Sequence, residues 1–424
     1  MGTPPRRLEV SLLPARPARE GRRRQRAAER RPAPAAPAHG RRRELTRPRP
    51  LRTIPATTTW TFPRITDEAL AALRSFVGKP VRRPPPYVEV VTRDAIRHWA
   101  DGIGDRNPFW LRRGIAPPTI LFAMDRIVSG YVGGLPGVHA MYGGADFRWH
   151  RPIREGDRLV GESVLLDLVE RRSAFAGRAI QQTYRTTFRD QTGTVVAVAD
   201  AWCFRTERDA ARARGKYGAL TPARYTPEAL ARIRDAYRRE EVRGATPRYW
   251  EDVTVGEALP EVVKGPLTVT SVIAFLQGWG GLYIRAHGLA VELFERHPAL
   301  AISNAFGAPE PPERVHWDDA FARAVGVPAA YDYGPERVSW LGHLVTNWMG
   351  DAGTLARLRV EVRRHNLLGD TTWCRGTVAA KAEVDGRGEV TLDLAAVDQR
   401  GETTAVGQAV VVLPRRPGAP RPTG

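Results

Sequence analysis

The chain has 424 residues, 42% of them apolar, and a formal net charge of +19. That is long enough for two or three domains, each with its own core. No apolar run approaches the ~18–20 residues that span a bilayer, and no apolar stretch near the N-terminus marks a secretory signal. The only cysteines, Cys203 and Cys374, exclude a disulfide framework and a cysteine-rich metal site. We therefore expect a cytoplasmic protein with no metal, no cofactor and no membrane partner.

The charge is unevenly placed. Residues 1–52 hold 16 Arg and 4 Glu, which accounts for +12. A Pro/Ala/Arg segment without an apolar period cannot bury enough surface to fold. Residues 1–58 are accordingly expected to be a disordered tail, either a tether for an anionic polymer or a solvated leader. Basic residues elsewhere are almost all Arg, with Lys only at 79, 216, 264 and 381. No basic surface interleaved with aromatics follows, which argues against nucleic acid as a partner.

After the tail, residues 66–77 read as an amphipathic segment, and 80–86 as a Pro-rich break. From Tyr87 the pattern is strand, helix, loop, helix, then strands. Thr92 is a candidate N-cap for a helix presenting Ile96, Trp99, Ala100 and Ile103 at close to 3.6-residue spacing. Strand-like runs follow at 145–151, 158–169, 172–190 and 194–205. Residues 208–247, rich in Arg and Glu and helical over 228–237, read as a linker. Beyond it Thr270 is a candidate cap for a helix carrying Ile273, Phe275 and Leu276. A second helix over 335–349 sets Val338, Leu341, Val345 and Trp348 on one stripe. Strands are expected at 357–366, 371–384, 388–398 and 402–413.

The second half thus repeats the first, and the ends match in letters: DQTGTVVAVADA at 190–201 against DQRGETTAVGQA at 398–409. Gly156-Asp157 and Gly369-Asp370 occupy the equivalent loop before a long strand. A duplication is the economical reading. One helix followed by four antiparallel strands able to wrap it is a hot-dog layout, and two tandem copies can join their sheets edge to edge. The expected fold is α+β, a double hot-dog. Its expected parts are a domain at 59–207, the linker at 208–247, a second domain at 248–415 and a short tail at 416–424.

MaoC-like hydratases carry the loop pattern GDxNPxHxDxxFA after their first helix. The first half reads GDRNPFW at 104–110, and the second reads HWDDAFARAVGVPAAYDYG at 316–334. RYWEDVTVGEALPE at 248–261 resembles the entry to a MaoC domain. HAMYGGADFRWHRPIREGD at 139–157 resembles the partner domain called FAS1-like dehydratase. Over about residues 59–414 the chain resembles this family of acyl-thioester dehydratases and hydratases. The resemblance implies a hydro-lyase of fatty acid metabolism that interconverts 2-enoyl and 3-hydroxyacyl groups, with an acyl-CoA substrate.

Such chemistry needs a base for water, an acid for C2 and donors for the thioester oxygen as enolate charge develops. In the family an Asp and a His five residues apart grip one water, and the N–H at the start of the central helix serves the oxygen. Here that pattern is split. Asp105 and Asn107 match in the first half, but Trp110 stands at the His position. His316 matches in the second, but Pro311 stands where the Asp belongs, flanked by Glu310 and Glu313. The resemblance therefore proposes His316, Glu313 (or Glu310) and Asp105 as catalytic. It places Asn107, Tyr333, Gly334 and Arg364 on the substrate, and Arg151 and Arg364 could pair with CoA phosphates.

Plainer readings stand beside these. Asp105 and Asn107 are turn formers, and His316 precedes acids suited to a helix N-terminus. Arg151 and Arg364 could be exposed strand residues, and the other histidines could be packing or surface groups. From Thr92 to Trp110 is 18 residues, and from Thr270 to His316 is 46, so about 28 are inserted before His316. The incomplete Asp/His pair also supports a non-catalytic alternative, an acyl-CoA-binding or scaffold subunit for an active partner. Association as a homodimer or hetero-oligomer stays open.

Overall fold

Residues 63–173, 177–207 and 220–418 are described by the structure, a computed structural model. The tail assigned to 1–58 lies outside the described residues, as do 59–62 of the first domain, 208–219 of the linker and 419–424 of the final tail. Among the described residues eleven strands run β1 (His139–Trp149), β2 (Val160–Ser173), β3 (Gly177–Arg189), β4 (Val195–Thr206), β5 (Val262–Lys264), β6 (Ile302–Ser303), β7 (Pro309–Glu310), β8 (Thr354–Val362), β9 (Thr372–Val384), β10 (Arg387–Asp398) and β11 (Thr403–Leu413). Nine of them form one antiparallel sheet in the order β2-β3-β4-β1-β8-β11-β10-β9-β5. Exchanging the halves maps β2-β3-β4-β1 onto β9-β10-β11-β8, so the order is a palindrome about the β1–β8 junction. That is the internal twofold expected from the repeated strand letters. The edge-to-edge joining is direct: Gly144 to Arg148 pair with Glu361 to Arg357.

Charge reinforces that junction. Buried Asp146 on β1 accepts from Arg357 of β8 at 2.9 and 2.6 Å, and from Arg148 at 2.8 Å. The two Gly-Asp loops serve one purpose by different means. In the first half Arg151 holds both Asp157 (2.8 and 2.9 Å) and Asp190 (2.9 Å). In the second, Asp370 and Asp398 are held by Arg400, at 2.7 and 2.8 Å. Each clamp ties the loop before the long strand to the turn of the repeated DQxG sequence. Charge-assisted, forked contacts of this kind are stronger than neutral hydrogen bonds.

The first half contains α1 (Asp67–Arg74), α2 (Arg93–Ile103), α3 (Phe109–Arg113) and α4 (Leu121–Met124); the linker contributes α5 (Pro227–Arg238). The second half has α6 (Val269–Trp279), α7 (His287–Arg296), α8 (Asp319–Ala324) and α9 (Gly334–Met349). Thr92 caps α2, as its spacing predicts, with its side chain accepting from Ala95 N. For α6 the cap is Thr268 rather than Thr270. Thr268 and Ser271 exchange side-chain-to-backbone bonds at 2.9 and 3.1 Å, a reciprocal box that fixes the start two residues earlier.

Helix α9 is wrapped by the second half's strands, and every residue from 335 to 349 is buried. A helix apolar on only one stripe would not tolerate that. Its polar members Arg337, His343 and Asn347 all find partners in the interior. Each of its fully buried apolar side chains contributes ~1.5–3 kcal/mol. The first half lacks an equally long counterpart. Pro117 and Pro118 open a 3-10 turn over Pro118–Ile120, α4 adds one turn, and Asp125 then turns extended (φ −150°, ψ 127°). The inserted residues before His316 form α7 and the β6–β7 ribbon.

Helices α2 and α6 pack together across the twofold with glycines at matched positions, Gly102 and Gly278. A Cβ on Gly278 would fall 2.5 Å from the His98 carbonyl oxygen. Gly278→Ala is therefore expected to force the helices apart and to cost about 1–3 kcal/mol, the range for overpacking. An unchanged urea midpoint would show that the helices can separate freely.

Candidate functional site

A cavity of about 1970 Å³ opens beside the N-terminal end of α9. The first half supplies Ser129, Gly130, Tyr131 and Tyr142 to its walls; the second supplies Glu313, His316, Tyr333 and Gly334. The size is above the ~300–1,000 Å³ of small-molecule sites.

His316 ends the short 3-10 helix Pro312–His316. Its Nδ1 lies 2.8 Å from the Tyr331 carbonyl oxygen, which can only accept. Nδ1 therefore carries the proton, and in the neutral ring Nε2 keeps its lone pair. The ring stacks on Tyr333 (centroids 3.6 Å apart, planes at 29°) and meets Tyr331 edge-on at 4.8 Å. Burial pushes its pKa down to about 4, against the raising effect of the Tyr331 and Asp332 backbone. At neutral pH the imidazole is uncharged, and the residue as a whole is half-buried.

Glu313 faces other work. Its carboxylate accepts from Leu282 N (2.8 Å) and Tyr283 N (2.6 Å), and from the Tyr333 hydroxyl at 3.4 Å. Burial pushes its pKa up, opposed by those N–H groups and by Arg126. Arg126, from the first half, donates to the Gly281 and Leu282 carbonyls from the other side (2.9 Å to Leu282). The peptide at 281–283 is thus held between a carboxylate and a guanidinium, just before α7. Glu310 pairs with Arg314 at 3.3 Å.

Tyr333 and Gly334 stand where the motif predicts, at the start of α9. Glu336 accepts the Tyr333 N–H at 2.9 Å, and Pro335 follows Gly334 in the first turn, where a missing N–H costs nothing. Arg364 is exposed and pairs with Glu402 at 3.1 Å. Arg151 is engaged by its two aspartates.

Asp105 and Asn107 do not line this cavity. Asn107 Oδ1 accepts from Phe109 N at 3.0 Å, a turn-forming bond. Asp105 accepts from Asn107 N at 2.9 Å, and from the Trp110 indole N–H at 2.8 Å. The first half keeps the spacing of the Asp/His pair, with an indole that cannot exchange a proton. Asp105 also lies 3.4 Å from His343 Nε2, and Glu240 of the linker segment lies 3.3 Å from the same nitrogen. Lys264 Nζ reaches His343 Nδ1 at 2.8 Å and the carbonyls of Ile103 and Gly104. This buried network of Asp105, Glu240, Lys264 and His343 was not read from the sequence. Its one early sign is Lys264, one of four lysines in a chain whose basic residues are almost all Arg. Among the described residues no group of three or more His, Cys, Asp or Glu is arranged to hold a metal ion.

Two helix-bearing halves joined into one palindromic antiparallel sheet define a double hot-dog protein. A model of the FAS1-like dehydratase domain region matches residues 75–199. A UPF0336 protein of Streptomyces griseus is 31% identical over 145 residues, covering 31% of this chain and 92% of its own. One from Saccharopolyspora erythraea is 37% identical over 103 residues, covering 20% of this chain and 64% of its own. Among solved structures, a MaoC-like dehydratase superposes with a TM-score of 0.55 at 18% identity, covering 81% of this chain and 99% of that one. A putative MaoC domain protein dehydratase from Chloroflexus aurantiacus gives 0.50 at 16%, covering 80% and 96%. The chain belongs to the family of these UPF0336 proteins, with a FAS1-like dehydratase region at residues 75–199 and a fold like that of the MaoC-like dehydratases.

Proposed function

We propose that the chain is a hydro-lyase that interconverts 2-enoyl and 3-hydroxyacyl thioesters, with CoA as the carrier. In this reading 59–207 and 248–415 are its hot-dog domains, and the second holds the chemistry. The observation that carries it is His316: a neutral imidazole with its proton fixed on Nδ1, at the wall of a large cavity beside the start of a buried helix. Nε2 takes a proton from water as its oxygen bonds C3, and the resulting imidazolium returns that proton to C2. The Gly334 N–H and the positive end of α9 receive the charge that develops on the thioester oxygen. Glu313, tied to residues 282 and 283, positions the wall and Tyr333 rather than gripping water. Asp105, away from the cavity, serves the buried network.

One observation favours the competing reading of an acyl-CoA-binding subunit without turnover. Pro311 replaces the family carboxylate, and the adjacent Glu313 is committed to backbone N–H groups. Purified protein mixed with a panel of 2-enoyl-CoA esters, followed through loss of the conjugated thioester absorbance, separates the two. Loss of absorbance supports the hydro-lyase; tight binding without it supports the binding subunit.

A further inference from the structure

The first half reaches the loop that carries His316 through one side chain that no motif picks out. The inserted stretch leaves α6 at Gly280 and Gly281, both at positive φ (80° and 64°), and returns at the 3-10 helix Pro312–His316. Its two ends meet, since Glu313 accepts from Leu282 N at 2.8 Å and from Tyr283 N at 2.6 Å. Gly281 must lack a side chain there: a Cβ would fall 3.2 Å from Glu313 Oε1 and 2.8 Å from Ile284 Cδ1. Arg126 closes the same neck from across the twofold. Its Nη1 donates to the Gly281 and Leu282 carbonyls (2.9 Å to Leu282), and its Nε to the Pro85 carbonyl at 2.8 Å.

The atoms joined are those of two successive peptide groups. In each, the oxygen accepts from Arg126 and the N–H on the opposite edge donates to Glu313. Cation, peptide dipoles and carboxylate therefore lie in series, and each polarises the next. Glu313 is buried, where an unpaired carboxylate is costly, and Arg126 offsets its charge through the peptides. The turn that presents Arg126 is itself fixed. Asp125 accepts from Ile127 N (2.7 Å) and Val128 N (3.0 Å). Ser129 Oγ accepts from the indole N–H of Trp279, the last residue of α6, at 2.9 Å. Since α4 ends at Met124, residues 125–129 leave the helix and make these contacts. From Glu313 the path to the imidazole is short. The two share one 3-10 helix, and the Tyr333 hydroxyl donates to Glu313 (3.4 Å) while its ring stacks on His316 at 3.6 Å.

Resting on the hydro-lyase reading, we propose that Arg126 is a positioning residue contributed by the first half, which holds the His316 loop closed by offsetting Glu313 across the 281–283 peptides. It acts on His316 through that loop and moves no proton itself. Without the guanidinium, the Glu313 charge is met by the two N–H groups alone, so the neck loosens and Tyr333 shifts on the imidazole. Water then reaches a ring whose pKa burial pushes down to about 4. The groups that face His316 are the Tyr331 and Tyr333 rings and the Tyr331 and Asp332 backbone. Those that face Arg126 are Arg285, Glu313, Tyr283 and Tyr131.

Arg126→Gln in the full chain removes the cation and keeps a polar side chain. With a 2-enoyl-CoA ester, kcat is expected to fall by about 10²-fold, the effect of roughly 1 Å of misplacement, while KM changes little. The acid limb of kcat/KM should move up from near pH 4 towards the ordinary ~6.5 of histidine. Combined with Glu313→Gln, the loss should be smaller than the product of the two single losses, because the pair acts as one unit. An arginine that merely packs predicts an unmoved acid limb and losses that multiply, and either result overturns the proposal. A raised KM with kcat kept also overturns it, since Arg126 then holds the substrate itself. Magnetic resonance titration of labelled histidines, with the His316 signal assigned by its absence from His316→Ala, separates this from failure of the hydro-lyase reading. If wild type shows no turnover, an upward move of the His316 pKa in Arg126→Gln still supports the positioning role, and an unmoved one overturns it. If Arg126→Gln fails to fold by circular dichroism, Arg126→Lys, which keeps the charge without the fork, is put to the same titration with the same two outcomes.

Discussion

Replacement of His316 by Ala is expected to lower kcat by roughly 10²–10⁴, the range for losing a general acid–base, with the fold retained by circular dichroism. The ring is bonded to the Tyr331 carbonyl and packed on the Tyr331 and Tyr333 rings, none of which can take over a proton transfer at neutral pH. His316→Gln keeps a polar group of similar reach and should be nearly as impaired, which separates proton transfer from packing. The pH dependence follows from the pKa near 4. The neutral ring is the working base, so the acid limb of kcat/KM should break near pH 4 instead of near the ordinary ~6.5 of histidine. The same shift acts on stability. The unfolded histidine binds its proton more readily than the folded one, so this contribution is complete above about pH 6.5 and declines as the pH falls toward about 4. Urea midpoints at pH 7 and pH 5 should therefore differ less in His316→Ala than in wild type. Turnover that survives the substitution would remove His316 from the mechanism.

The largest stability effect is expected at Lys264. Its ammonium is fully enclosed, bonded to the Ile103 and Gly104 carbonyls and to His343, with Asp105 and Glu240 as the nearest negative charges. Lys264→Met fills the space and removes the cation. Two carboxylates with low exposure then face each other through His343 with no fixed positive charge between them. Breaking a buried charge set by removing one partner typically costs 3–5 kcal/mol, and about that loss is expected in denaturant unfolding. Converting Asp105 to Asn in the same background should recover part of it, because one of the stranded charges is then gone. A single variant as stable as wild type would mean that the network carries no net weight.

Much of the architecture could be read from letters alone. Alternating strands, the twin DQxG turns and the Gly-Asp loops each report local geometry, and the second-half strand ends were placed to within a few residues of those observed. What could not be read depends on contacts remote in sequence. The register of β1 on β8 joins residues more than 200 apart, such as Asp146 and Arg357, 211 residues apart, and nothing local announces it. The shortened central helix of the first half was hidden because Pro117-Pro118 also suits a helix start. In the site, the motif located His316, Tyr333 and Gly334. It could not locate Lys264, 161 residues from the Ile103 carbonyl it serves. Nor could it reveal that Glu313 is spent on residues 282 and 283, since that depends on where the inserted segment settles. Arg400, in the β10–β11 turn, makes the clamp that Arg151 makes after β1, a change of position that the matching letters of the repeat do not show.

The palindromic sheet has a consequence for how such a chain can change. A dimer of identical single hot-dogs meets every substitution twice, at both copies of a site at once. Here each half is encoded separately, and a substitution falls on one side of the twofold only. An indole could replace the histidine at Trp110 while His316 kept its place across the axis. The proline at 311 could arise while the aspartate at 105 survived and turned to a different partner. Carrying both halves on one chain, with β1 hydrogen-bonded to β8 where they meet, lets the two copies of the motif differ: Asp105 is held in the buried network while His316 faces the cavity.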